Sequence, residues 1–268
     1  GHPENLELVS RYRNRCSAAG RNTLRDWSLA KPAFTEWENM VRAMVFAEHH
    51  GATLYVPHVS CARGVAEANR FRERYGRIHI ETCPHYLTHT MESELGILAK
   101  ANPPLRTAED VEALWRYLAD GSIDVVGADH VPRQRATKEK PLWQAAQGFP
   151  GSATILPVLL SEGHHKRGLP LRRIAQLVAK RPAEIFGIAA AKGDIFVGGD
   201  GDFTVVDLDL EKVCRWQDLA SHADYTPYEG WTFKGWPVMT ILRGQVIMRD
   251  GKLLGQPGYG QYLRRPLV

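Results

Sequence analysis

Three short apolar runs in this chain each end in residues that bind metals or carry protons. They are Leu54-Tyr-Val-Pro-His58-Val-Ser60, Ile78-His-Ile-Glu81-Thr-Cys-Pro-His85 and Ile123-Asp-Val-Val-Gly-Ala-Asp129-His130-Val-Pro132. Continuous apolar runs separated by segments of helical period read as buried parallel strands, which predicts strands over 53–59, 77–82 and 123–128. Helices are predicted over 6–19, 62–75, 91–99, 152–163 and 170–180. A stronger helix is predicted over 32–50, with Pro32 suited to its first turn and Gly51 to its stop. Thr107 with Asp110 is an acidic capping box that starts a helix running to Asp120. Asn102-Pro-Pro-Leu-Arg106 is a stiff loop. Residues 133–151 are polar and contain Gly and Pro, which suits an active-site loop. Near residue 190 the character changes to turn-rich sequence. A strand follows at Phe203–Asp207, then a hairpin with Val238–Leu242 and Gln245–Met248 joined by Arg243-Gly244. The expected architecture is an α/β barrel part over 1–190 and a β-rich part over 191–268.

Parallel barrels carry their chemistry at the C-terminal ends of the strands. Strand ends bearing His, Glu/His and Asp/His therefore predict a metal-dependent site on a barrel rim. A closed barrel needs eight βα units, however, and the sequence supplies three clear strands, with a fourth at the start or near residue 145. A half-barrel would expose long apolar edges. The expectation is that another polypeptide completes the barrel, or that these residues are the C-terminal portion of a longer protein whose natural start precedes Gly1.

Composition narrows the class. The chain has 268 residues, 44% hydrophobic and 24% charged, which is ordinary for a soluble globular protein. Lys and Arg (34) exceed Asp and Glu (30) by only four, and the excess is spread along the chain. The cluster Arg11-Tyr-Arg-Asn-Arg15 reads as a solvated helix face, so no nucleic-acid partner is expected. Cys16, Cys61, Cys83 and Cys214 have no CxxC spacing and predict reduced thiols in a cytoplasmic protein. No run approaches the ~18 residues of a membrane span, and no signal peptide is visible.

Taken singly, the candidate residues admit two readings. His58 is a metal ligand or a hydrogen-bonded core histidine, and Asp129 is a ligand or a carboxylate capping the next helix. His85 faces a pocket or makes a structural hydrogen bond. His49, His50, His164 and His165 fall at helix ends and read as surface residues. Nothing near Cys83 in the sequence lowers its pKa, so it is not expected to be a nucleophile.

Ten segments together resemble the cyclic amidohydrolases, the dihydroorotase, allantoinase and hydantoinase/dihydropyrimidinase group. They are His2-Pro-Glu-Asn5, Tyr55-Val-Pro-His58-Val-Ser60, Glu81-Thr-Cys-Pro-His-Tyr-Leu-Thr88, Asn102-Pro-Pro-Leu-Arg106, Asp124-Val-Val-Gly-Ala-Asp129-His130-Val-Pro132, Gly148-Phe-Pro-Gly151, Arg181-Pro-Ala-Glu-Ile-Phe-Gly187, Lys192-Gly193-Asp194-Ile195, Asp202-Phe-Thr-Val-Val-Asp207 and Pro227-Tyr-Glu-Gly230. The resemblance implies an α/β fold: a metal-dependent (β/α)8 TIM-like barrel, with only its later βα units in this chain, and a small C-terminal β-sandwich part. It implies that His2 and His58 hold one metal, and that Asp129 binds the other and serves as general base and then acid. It further implies that Asn102, Gln147 and Gly148 contact substrate. Two divalent metals, zinc in the first instance, are implied per complete site. The family's His-x-His pair and its bridging carbamylated lysine lie upstream of the His2 motif, so the isolated 268 residues are expected to be inactive.

Arg133 departs from the dihydroorotase pattern, which has histidine there; a guanidinium also grips a carboxylate. The leading expectation is hydrolysis of a C–N bond in a cyclic amide or ureide of hydantoin, allantoin or dihydropyrimidine type. The alternatives are a dihydroorotase acting on a carboxylated ring and a non-catalytic dihydropyrimidinase-like scaffold. A homo-oligomer is expected by analogy.

Overall fold

Strand β1 (Leu54–Val56) stops at Val56 because Pro57 has no N–H to give the ladder. It pairs in parallel with β2 (Ile78–Thr82), Leu54 opposite Ile78 and Val56 opposite Ile80, and β2 pairs in parallel with β3 (Val125–Val126), Glu81 opposite Val125. This three-stranded parallel sheet, in order β1-β2-β3, occupies the predicted positions with shorter strands. The register brings the C-terminal ends of all three strands to one edge. Of the expected fourth strand, the described residues show only a single parallel bridge, His130 with Phe149. The structure is a computed structural model that describes residues 2–265; Gly1 and residues 266–268, the outer ends of the two expected parts, lie outside it.

The helices form where caps and apolar period agree. Helix α1 (Leu6–Ala18) is capped by Asn5, whose side chain accepts from Leu8 N. Helix α2 (Leu24–Leu29) was not anticipated, although Thr23 and Asp26 form a complete capping box; at six residues it carries too little period to stand out. Helix α3 (Ala33–His50) ends on Gly51 in the left-handed region, as expected. Helix α4 (Ala62–Arg72) packs on α3, with Met40 against Gly64. Helix α5 (Ala108–Asp120) has the predicted Thr107–Asp110 capping box and buries Val111, Leu114, Trp115 and Leu118 on one stripe. Residues 91–99 do not form the predicted helix. Gly96 takes a φ of 54°, which interrupts an α path, and only a 3-10 turn at Gly96–Ala99 follows. The 133–151 loop contains one short helix, α6 (Arg135–Lys138).

The chain divides into two compact units. The first comprises residues up to Ile155 together with Arg215–Glu229, and the second comprises Leu156–Cys214 together with residues from Gly230 on. The second contains all but the first residue of α7 (Ile155–Val158), which continues as wider π-helical turns over Leu159–His165, and α8 (Leu171–Ala175), which continues through Gln176–Lys180 into α9 (Arg181–Ile185). Its antiparallel sheet runs in order β4 (Phe203–Val213), β5 (Thr232–Leu242), β6 (Gln245–Arg249), β7 (Lys252–Leu253). The predicted hairpin over Arg243-Gly244 is present, and β4 runs past Asp207, with irregular register between Asp207 and Glu211. Buried Phe233 and Trp236 line β5, and Gly235 lets that strand approach Leu160.

Candidate active site

Two of the three strand ends turn sharply at the side chain they present. His58 and Asp129 have φ of 42° and 43°, in the left-handed region that residues with a Cβ seldom occupy. His58 is buried, Asp129 half-buried, and His2 exposed. The His2 and His58 rings lie 4.5 Å apart between centroids. Burial, and after it the neighbouring His2 ring, pushes the His58 imidazole down to about 4, so it is neutral at pH 7. Its Nδ1 is buried with no hydrogen-bond partner. Burial pushes the Asp129 carboxyl above its ordinary range, and His2 partly opposes this.

Two neutral-capable imidazoles side by side, an orphaned buried ring nitrogen and a carboxylate within electrostatic reach suit a divalent cation such as zinc. Among the described residues, no three His, Cys, Asp or Glu side chains stand close enough together to enclose one by themselves. In this arrangement His2 and His58 supply a paired nitrogen platform, and the Asp129 carboxylate lies within electrostatic reach of His2.

The other residues of the His2 motif are structural. Glu4 is buried and accepts from Lys31 Nζ at 2.8 and 3.0 Å, while Asn5 caps α1 and donates to Glu38 at 2.8 Å. Lys31 Nζ also donates to Asn102 Oδ1, which leaves Asn102 Nδ2 facing His2 Nδ1 at 3.3 Å. Asn102 is thereby oriented beside the imidazole pair. Helix α2 braces the same loop from behind, with Trp27 Nε1 donating to Ala101 O at 2.7 Å and Ser28 Oγ to Leu105 O at 2.9 Å. Arg106, at the end of that loop, donates to Ser60 Oγ at 2.9 Å, to Lys31 O at 2.6 Å and to Glu36 Oε2 at 2.8 Å. Ser60 N and its hydroxyl both donate to Glu36. This buried network joins the Asn102 loop to the strand end that carries His58.

The loop after Asp129 is held as firmly. Val131 N donates to Phe149 O at 2.7 Å, and Ser152 N donates to His130 Nδ1 at 3.2 Å. Gly148 has φ 105°, and a Cβ there would lie 2.6 Å from Val131 Cβ, so only glycine fits. Its N–H donates to Lys100 O at 3.0 Å, and its carbonyl accepts from Lys138 Nζ at 2.6 Å and Tyr225 Oη at 2.9 Å. The Gly148 backbone is thus engaged within the protein, whereas the Gln147 and Arg133 side chains are exposed. Lys138 Nζ donates also to Lys100 O at 2.9 Å.

His85 is buried against Tyr86 and Phe149, its Nε2 has no hydrogen-bond partner, and burial pushes its imidazole well down. None of the four cysteines forms a disulfide and all are buried, and burial pushes the Cys83 thiol well up, away from nucleophilic use. Sequence reading missed Lys31, Lys100 and Lys138, whose local sequence is that of surface lysines. It also passed over Glu81, which the apolar β2 pattern had marked without assigning it a task.

Residues 18–247 match the Amidohydrolase family. The chain is 39% identical over 266 residues to an allantoinase of Rubrobacter xylanophilus, covering 98% of this chain and 58% of that protein. It is 33% identical over 269 residues to an L-hydantoinase of Paenarthrobacter aurescens, covering 98% and 59%. Among solved structures, the L-hydantoinase (dihydropyrimidinase) from Arthrobacter aurescens superposes with a TM-score of 0.95 at 33% identity, over 98% of this chain and 60% of that one. A D-hydantoinase (dihydropyrimidinase) from Thermus gives 0.94 at 30% identity, over 98% and 59%. The chain therefore spans about 58–60% of the length of these relatives.

Proposed function

The chain belongs to the amidohydrolase family, with its TIM-barrel-type fold, and from that premise we propose that it is the portion of a metal-dependent hydrolase that opens a cyclic amide or ureide ring. The ring is of hydantoin, allantoin or dihydropyrimidine type, in keeping with the names of the relatives. The observation that carries the reading is the pairing of the His2 and His58 rings at 4.5 Å beside Asp129.

A divalent cation would be held by His2 and His58, with Asp129 as the carboxylate of the centre. Such a cation would supply Lewis acidity, which would polarise the scissile carbonyl and favour ionisation of water near neutral pH. Asp129 accepts the proton as the water oxygen bonds to the carbonyl carbon, then returns it to the ring nitrogen as the C–N bond breaks. Its partial burial, which raises its carboxyl above the ordinary range, suits it to both halves of that transfer. Asn102, oriented by Lys31, offers a polar contact to the ring, and Gln147 and Arg133 offer exposed polar side chains from the neighbouring loop.

The three-stranded parallel sheet is on this reading part of an eight-stranded barrel. Its remaining strands, and the carbamylated lysine and further cation ligands that the resemblance implies, would come from polypeptide outside these 268 residues. The 58–60% coverage of the relatives supports this; on the same reading the barrel part over 1–190 and the sandwich part over 191–268 would be pieces of larger domains. A homo-oligomer working in the cytoplasm completes the proposal. No helix among the described residues is long and apolar enough to cross a membrane.

The test is hydrolysis of a panel of hydantoin, allantoin, dihydrouracil and dihydroorotate by the zinc-loaded protein that carries this chain, with Asp129→Asn alongside. Loss of the proton-transfer group is expected to lower kcat by about 10²–10⁴-fold. Full activity in Asp129→Asn, or no hydrolysis of any ring by the loaded wild type, would refute the reading; the latter would favour a non-catalytic scaffold.

A further inference from the structure

Glu81 lies at the end of β2, opposite Val125, and its carboxylate reaches both sides of the turn that presents His58. Oε2 accepts from Tyr55 Oη on β1, and Oε1 accepts from His58 N at 3.2 Å. The Glu81 backbone carbonyl accepts from Val59 N at 2.7 Å. One residue thus ties down β1 before, within and after the left-handed turn at His58.

The other side of the carboxylate meets β3. A Cβ at Gly127 would overlap the Glu81 carboxyl carbon and lie 2.8 Å from Oε1. Gly127 N donates to Thr82 O at 2.9 Å, so this backbone has no freedom to retreat. Gly127 is two residues before Asp129, and the Asp129 charge acts on Glu81. The carboxylate therefore sits between the two turns that present His58 and Asp129, and its contact with the second requires a residue without a side chain.

We propose that Glu81 is a positioning residue of the candidate metal centre: it holds the His58 turn in register with the Asp129 turn, and Gly127 is glycine to admit it. This rests on the reading of His2, His58 and Asp129 as cation ligands. Groups that orient metal ligands typically contribute 10–100-fold to metal affinity, and a second nearby carboxylate adds favourable charge for a cation.

The experiment uses the protein that carries this chain, with Glu81→Ala, Glu81→Gln, Gly127→Ala and the Glu81→Ala/Gly127→Ala double variant. Two quantities are read: amide hydrogen exchange at His58 in the metal-free protein, with Ile80 as reference, and Zn²⁺ affinity by competition with a chromophoric chelator. Glu81→Ala is expected to speed His58 exchange about tenfold without changing Ile80, and to weaken Zn²⁺ binding about 10–100-fold. Glu81→Gln keeps an acceptor for His58 N and is expected to preserve its protection while losing part of the affinity. Gly127→Ala is expected to mimic Glu81→Ala, and the double variant to bind no more weakly than Glu81→Ala alone, because the added methyl then meets no carboxylate. A Glu81→Ala protein with His58 exchange and Zn²⁺ affinity within twofold of wild type would overturn the proposal, as would losses that multiply in the double variant. A wild type that binds no Zn²⁺ removes the metal reading, and His58 exchange then decides the role of Glu81 by itself.

Discussion

Replacing Arg106 with methionine is expected to destabilise the first unit severely. Arg106 is 5% exposed, and Glu36, its ionic partner at 2.8 Å, is fully buried. Methionine fills much of the volume of the arginine stem but leaves the Glu36 carboxylate without its counter-charge. Removing one partner of a buried pair costs about 3–5 kcal/mol. Glu36 would keep its bonds from Ser60 N and Oγ, which favours the lower end of that range. For a domain of this size about 2–4 °C of Tm accompanies each kcal/mol, so a fall of about 6–20 °C is expected. Urea unfolding supplies the free energy, provided the m-value stays constant. Glu36→Gln, alone and combined with Arg106→Met, closes a double-mutant cycle, and the double variant should recover about 2 kcal/mol relative to the sum of the singles. Additivity within about 0.5 kcal/mol, or a single-variant cost below about 1 kcal/mol, would show that the pair is not the electrostatic unit described. Ser60 is two residues after His58, so the same variant is also expected to loosen the turn that presents the imidazole.

Two further outcomes follow from other side chains. Burial, with Lys100 and Arg133 adding to it, pushes the Lys138 amine down to about 7 from its ordinary 10.5. The unfolded chain then binds more protons than the folded one between those values, so this group's contribution to stability is full above about 10.5 and is lost as pH falls toward 7. Between pH 7 and 9.5 the wild type should gain on Lys138→Met by up to about 1.4 kcal/mol per pH unit, and a pH-independent difference in urea midpoint would contradict this. Thr107→Ala removes the side-chain cap of α5 and should cost about 1 kcal/mol by thermal unfolding; an unchanged Tm would mean that the helix end is held by Asp110 and its bond from Ala62 N alone.

Sequence order by itself determined the local elements and the chemistry at their ends. The apolar runs marked β1, β2 and β3, Pro32 and Gly51 bounded α3, and Thr107 with Asp110 began α5, because each depends on neighbours a few residues away. The same local signals singled out His58 and Asp129. Where the signal was too short, as in α2, or was broken by Gly96, as over 91–99, local reading failed. What only the tertiary structure decided is which distant residues share one small volume. Lys31 with Glu4 and Asn102, Arg106 with Ser60 and Glu36, Lys138 with Gly148, and Glu81 over Gly127 are pairings between separate loops and strands. Their sequence neighbourhoods are those of ordinary surface lysines, a strand-end carboxylate and a loop arginine. A charged side chain becomes structural only when folding takes it out of water and supplies its partner, and that pairing leaves no local pattern.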